Sequence, residues 1–239
     1  MQQRLFRESR KLERTSHIAG AILKNVHAFI LLIDNDFKVL KTNYYQKTGT
    51  KKGTEEKRVG DLLMQLVNDI LDMSKIEAGT LEFVQATVDV NLLLSDLQQL
   101  FQMRVDDVGG KIQIIAEPSR SSCMIQTDRN RVAQVLSNFA GNAIKFTHEG
   151  SIRLGYEARD TELYFYVKDT GAGIPAEKLP DVFERFVKLN KDKKGAGLGL
   201  SISQTIVAKL GGQIGADSVE GKGSTFWFTI PYRSCGKPR

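Results

Sequence analysis

Three short segments of this sequence combine residue types and spacings suited to holding a phosphorylated ligand. Asn138 and Asn142 are four apart, so on a helix they share a face, with Lys145 one turn beyond Asn142 and Phe146 beside it. Two amide oxygens and an ammonium on one face can hold a hydrated Mg²⁺ and a phosphate. Asp169-Thr170-Gly171-Ala172-Gly173-Ile174 sets a carboxylate ahead of glycines that permit close backbone approach, and such a carboxylate can accept a hydrogen bond from a base amine. Gly195-Ala196-Gly197-Leu198-Gly199-Leu200 leads into a helix, where backbone N–H groups and the positive end of the dipole suit phosphate. Lys188, Lys191, Lys193 and Lys194 add positive charge just upstream. The spacing is neither the dinucleotide GxGxxG nor the phosphate-loop GxxxxGK[ST]. Taken singly, each segment also fits a plainer description: a solvated helix face, a strand-to-helix turn, a surface loop.

The elements that would position these residues follow from hydrophobic periodicity. A helix is expected from an N-cap at Thr127 or Asp128 to Phe146, with Val132, Val135, Leu136, Phe139, Ala143 and Ile144 as its buried stripe. Strands are expected near 151–157 and 162–168, the second delivering Asp169. Helices are expected over 92–104, over 176–189 behind Pro175, and over 198–210 ahead of Gly211-Gly212. Strands near 111–116, 213–217 and 225–230 complete an α+β arrangement, a two-layer sandwich with helices on one face of the sheet. Ahead of it, Leu63, Leu66, Val67 and Ile70 start a helical stripe over 62–78. Residues 28–43 read as two short strands joined at Asp34-Asn35-Asp36, and residues 1–27 as a polar, helical lead-in.

Composition narrows the function classes. The chain has 239 residues, 41% hydrophobic and 26% charged, which excludes collagen, low-complexity disorder and a disulfide-stapled mini-protein. Its strongest apolar run, 28–33, falls far short of the ~20 residues of a membrane-spanning helix. Cys123 and Cys235 form no CxxC, which suits a reducing compartment and argues against structural zinc. Residues 1–60 hold 13 Lys+Arg and 6 Asp+Glu, a net of +7, while the whole chain is +6, so the other 179 residues are net −1. The basic excess sits in the N-terminal quarter, and with no aromatic interleaving it reads as a solvated face, not a nucleic-acid interface.

In order along the chain, the asparagine helix, DxGxG, Phe183-Glu184-Arg185-Phe186, GxGLGL and Gly221-Lys-Gly-Ser-Thr-Phe226 resemble the ATP-binding domain of sensor histidine kinases over about residues 86–232. Asn68–Gly79 (NDILDMSKIEAG) also resembles the second helix of that family's dimerisation domain. The resemblance implies the Bergerat-type sandwich and a division into 1–60 (lead-in helix and partial PAS-like sensor segment), 61–80 (second dimerisation helix) and 86–235 (ATP-binding catalytic domain). It implies ATP and Mg²⁺ as cofactors, with Asn142 the metal ligand, Asn138 one turn earlier, and Lys145 on phosphate. It implies Asp169 on the adenine amine, Gly171 and Gly173 shaping the base pocket, Phe183 and Phe186 anchoring a lid, and Gly195, Gly197 and Gly199 on the phosphate side. Thr225 matches a threonine near the adenine, and Phe146, Ile174, Leu198 and Leu200 fall in the same motifs. Lys188 stands where many members carry arginine, a departure that loses the bidentate fork.

The family's phosphoacceptor lies in a motif close to SHExRTPL, which is missing here. His17, in Ser16-His17-Ile18, is a weak candidate, His27 reads as packing, and His148 as a surface residue. The strands of 28–43 resemble the opening of a PAS-type sensor, yet the 62–78 helix follows too soon for the rest of one, so the sequence reads as joining separated pieces near 60–66. The function expected is γ-phosphate transfer from ATP to a histidine and onward to a response-regulator aspartate. The expected partners are a second copy of the chain and a receiver domain, with no nucleic acid and no membrane segment in this chain. The expected location is cytoplasmic, or the cytoplasmic portion of a larger sensor. Two other readings stay open: a non-phosphorylating, nucleotide-binding regulator, and a serine kinase acting in trans.

Overall fold

The structure, a computed structural model, describes residues 31–33, 39–42, 67–187 and 197–232. The chain divides into two compact units, Met1–Leu66 and Val67–Arg239. In the first, β1 (Leu31–Ile33) and β2 (Val39–Thr42) pair antiparallel with Leu31 opposite Thr42, as the apolar runs predict. The expected lead-in helix, the 34–36 turn and the 60–66 junction lie outside the described residues, as does His17.

The second unit begins with helix α1 over 67–77, followed by β3 (Ala86–Asp89), α2 (Val90–Asp106), β4 (Lys111–Glu117), β5 (Met124–Thr127) and α3 (Arg129–Phe146). Then come β6 (Glu149–Ala158), β7 (Glu162–Asp169), a 3-10 helix (Ala176–Asp181), α4 (Gly199–Lys209), β8 (Ile214–Val219) and β9 (Gly223–Pro231). Five strands form one sheet in the order β4-β6-β7-β9-β8, parallel only at β4–β6. A two-stranded antiparallel ribbon, β3 with β5, is separate. It and its two strands were not anticipated from the sequence: each is four residues long, too short for a period-2 pattern to declare itself.

Strand alternation decides which face is covered. Ile152 and Leu154 of β6, Leu163, Phe165 and Val167 of β7, and Phe226, Phe228 and Ile230 of β9 are all buried, and they meet the apolar stripes of α2, α3 and α4. Aromatic rings carry much of that contact: Phe139 of α3 lies 5.5 Å from Phe226 and 6.1 Å from Phe228, and Phe165 stacks on Phe228 at 4.9 Å. The opposite face carries Tyr164, Tyr166 and Trp227, with Trp227 stacked 5.5 Å from Tyr164 and its indole N–H donating to Asp217. This is the two-layer sandwich expected, with helices on one side.

Side chains finish what the backbone leaves open. Asp89 caps α2 by accepting from the Asn91 and Leu92 amides. Strand β4 is a sheet edge, and Gln98 and Gln102 of α2 bond its free backbone: Gln102 Oε1 accepts from Ile114 N at 2.8 Å, and both amide groups donate to β4 carbonyls. The expected 176–189 helix is corrected to a six-residue 3-10 turn. Pro180 inside it offers no N–H, and Phe186 sits at φ 64, outside the right-handed helical region.

Helix α1 belongs with this unit, not apart from it. Met73 and Leu81 are buried, and Asp72 pairs with Arg131 at 3.2 Å and accepts from Gln134 at 2.6 Å, both at the start of α3. Glu77 pairs with Arg185 at 3.1 Å. Asp69, one turn before Met73, is also buried, and its carboxyl is pushed up from 3.8 to about 6, first by burial and then by the Asp72 carboxylate. A carboxyl raised on folding holds its proton more tightly in the native state. Its contribution to stability is therefore full below the unfolded value and falls as pH rises toward about 6. Asp69→Asn is expected to flatten that fall and to raise the urea midpoint above wild type at about pH 7. Midpoints of the two proteins that run parallel across this range would show that Asp69 is not the source.

Candidate functional site

Helix α3 is capped at its start by Asp128, whose Oδ1 accepts from Arg131 N at 3.0 Å and whose Oδ2 accepts from Val84 N at 2.8 Å. One carboxylate thus fixes both the helix and the incoming chain. The helix then runs past two other parts of the chain. In its middle, Asn138 Nδ2 donates to the Gly199 carbonyl and to Ser203 Oγ, both at 3.0 Å, tying α3 to the first turn of α4. At its end, the Phe146 carbonyl accepts from Ala172 N at 3.1 Å, tying α3 to the DxGxG turn. Asn142 and Lys145 lie between these two ties, half-buried, and the Asn142 side chain makes no hydrogen bond among the described residues. The Lys145 ammonium lies 5.2 Å from the centre of the Phe146 ring.

Asp169 ends β7 and is 6% exposed. Its Oδ1 accepts from Gly171 N at 2.8 Å and from Ser224 N at 3.3 Å. Burial pushes its carboxyl above the ordinary range, and those two amides pull it back. No hydrogen bond reaches Oδ2 among the described residues, so that oxygen is open to a donor. The turn that follows depends on its glycines. A methyl on Gly171 would sit 2.6 Å from the Phe146 carbonyl, 2.7 Å from Thr147 Oγ1 and 2.9 Å from Asp169 Oδ1. Gly173 adopts φ 67 and abuts the Val219 carbonyl. Ile174, next in line, is buried, and its amide donates to Ser218 Oγ at 2.8 Å. Ser218 Oγ also lies 2.9 Å from Ser224 Oγ, its partner across β8 and β9.

Ser224 is the residue that sequence reasoning missed. The resemblance names Thr225; strand alternation sets Ser224 on the covered face beside Asp169 and Thr225 on the face of Trp227. The antiparallel register could have signalled this, since Ser224 has the parity of Phe226 and Phe228. Asn138 spends its amide N–H₂ on α4, which ties the asparagine helix to the segment after GxGLGL. Leu198 is buried ahead of α4, Leu200 is half-buried, and Gly197 at φ 74 accepts from Phe186 N at 2.9 Å. Phe183 meets Phe226 edge-on at 6.3 Å. Lys188 and Gly195 lie outside the described residues. His148 is exposed. The structure therefore brings the end of α3, the DxGxG turn and the start of α4 into one arrangement, with a buried carboxylate at one end and amide N–H groups of a helix start at the other.

Residues 127–234 match the family described as histidine kinase-, DNA gyrase B-, and HSP90-like ATPases. The sensor histidine kinase WalK of Bacillus subtilis (strain 168) is 33% identical over 178 residues, covering 72% of this chain and 29% of that protein. A crystal structure of full-length ShkA in complex with AMPPNP is 36% identical with a TM-score of 0.68, covering 78% of this chain and 39% of the other. The catalytic domain of histidine kinase ThkA is 30% identical with a TM-score of 0.54, covering 63% of this chain and 96% of that domain. The chain spans less than a third of the length of the first curated relatives it matches.

The Ser218 hydroxyl holds the turn against β8 at Ile174, beside the Gly221 amide that donates to the Ala172 carbonyl at 2.7 Å. Ser218→Ala leaves the buried Ile174 amide without its acceptor, and the turn is expected to open more often, with Ile174 amide exchange faster by about tenfold. Unchanged exchange at Ile174, measured by NMR, would show that the turn is held by other contacts.

Proposed function

The chain belongs to the histidine kinase-, DNA gyrase B-, and HSP90-like ATPases, on their histidine kinase side, and from this premise we propose that it is the ATP-binding catalytic region of a sensor histidine kinase. The observation that carries the reading is the buried Asp169, held through Oδ1 with Oδ2 open. An ionised carboxylate only accepts hydrogen bonds, so it selects an exocyclic amine over a carbonyl oxygen, as adenine requires. Ser224 and Ile174 line the same turn, and Gly171 and Gly173 bring backbone close to the base.

On the phosphate side, the start of α4 offers backbone N–H groups, and Lys145 supplies positive charge from α3. The Asn142 amide oxygen is a hard donor that fits Mg²⁺, which prefers oxygen ligands and keeps several waters. Bound there, the ion would neutralise charge on the β- and γ-phosphates. Phosphoryl transfer asks for positioning and charge neutralisation more than for covalent chemistry by the protein, and this chain's residues do that: Asp169 orients the base and the α3 face orients the phosphates. The acceptor is a histidine, with an aspartate of a response-regulator receiver domain as the next acceptor, and the active form is a homodimer in the cytoplasm. His148, the one histidine among the described residues, is exposed just past the end of α3.

Asp169→Asn is expected to weaken ATP binding by about 1.5–3 kcal/mol, the worth of a charged hydrogen bond, as read by calorimetry. Unchanged affinity would remove Asp169 from the base site. Labelled phosphate from ATP that is acid-labile and base-stable on the protein supports histidine transfer. ATP binding with no phosphoprotein, even with a receiver domain present, points instead to a nucleotide-binding regulator.

A further inference from the structure

Thr147 closes α3 and is 4% exposed. Among the described residues, its Oγ1 is the buried side-chain oxygen without a hydrogen-bond partner. A buried hydroxyl left unpaired is a cost to folding, and valine would fill the same space without it. Its neighbours are the base site itself. The Phe146 carbonyl, Thr147 Oγ1 and Asp169 Oδ1 all converge on the α-carbon of Gly171, at 2.6, 2.7 and 2.9 Å from where a methyl would stand. The first and third of these only accept hydrogen bonds, so Thr147 holds the one O–H among the three. The carbonyl already takes the Ala172 amide, and Asp169 Oδ1 takes the Gly171 and Ser224 amides. The space around which the Thr147 hydroxyl and the carboxylate gather is the one a side chain at residue 171 would fill.

We infer that Thr147 is a positioning residue of the base site, its hydroxyl donating to the Asp169 carboxylate when the 169–173 turn settles on a purine amine. The inference rests on the nucleotide reading above. Donation from Thr147 keeps the carboxylate charged and aimed while Oδ2 is engaged by the amine, and it gives the orphaned hydroxyl its partner in the bound form. Burial alone pushes that carboxyl toward protonation, so an added donor works in the direction that binding requires.

The full chain titrated with AMPPNP by calorimetry tests this, with urea unfolding run on each variant. Thr147→Val is expected to weaken AMPPNP about tenfold, the worth of a hydrogen bond to a charged group, while its unfolding midpoint stays equal to or above wild type. Thr147→Ser should bind as wild type does. In the Asp169→Asn background, Thr147→Val should cost nothing further, because the hydroxyl acts through that carboxylate. Wild-type affinity in Thr147→Val, loss of stability together with affinity, or additive losses in the double variant would each overturn the inference. If wild type bound no AMPPNP, or Asp169→Asn bound it as tightly, the nucleotide reading would fail first and the inference with it.

Discussion

A carboxylate that is 6% exposed must be hydrogen-bonded or give up its charge, and the layout of this domain follows from how Asp169 is kept. Its Oδ1 takes two backbone amides, one from its own turn and one from the neighbouring strand β9. The Ser224 amide is in reach because β7 and β9 pair in the register that sets Lys168 opposite Thr225. The turn can fold back only because residue 171 lacks a side chain. The carboxylate therefore reads out strand register, turn conformation and the position of the α3 terminus together. An error in any one would leave a buried charge unpaired.

Helix α3 is the common support. Its N-terminus is fixed by Asp128 and by the Asp72–Arg131 pair, its middle holds α4 through Asn138, and its end holds the DxGxG turn through the Phe146 carbonyl. Its apolar side is locked by Phe139 between Phe226 and Phe228. A single element thus sets the distance between the DxGxG turn and the start of α4. That fits a fold whose catalytic contribution is positioning.

Much of this was legible from local pattern. The 3.6-residue stripe of α3 and the Asp128 cap set that helix to within two residues, and the alternation in β6 and β7 placed Asp169 at a strand end. What was not legible depends on pairing between distant segments. The four-residue strands β3 and β5 stabilise each other across 34 intervening residues, and nothing local to either announces it. The 176–189 helix was wrongly expected because Pro175 is a good helix start, while Pro180 and the left-handed Phe186 both forbid continuation. The resemblance names Thr225, and motif spacing says nothing about which face of a strand a residue takes. Only the register with β7 decides that.

The uncovered face of the sheet has a practical consequence. Trp227 is the sole tryptophan of the chain, and it sits on β9 three residues beyond Ser224, stacked on Tyr164 and hydrogen-bonded to Asp217 of β8. The strand whose Ser224 amide holds Asp169 therefore also carries the molecule's only indole fluorophore, in direct contact with the next strand. Emission from that indole, together with energy transfer from the adjacent tyrosines, gives the domain a native optical signal. It reports on the β8–β9 edge with no label introduced.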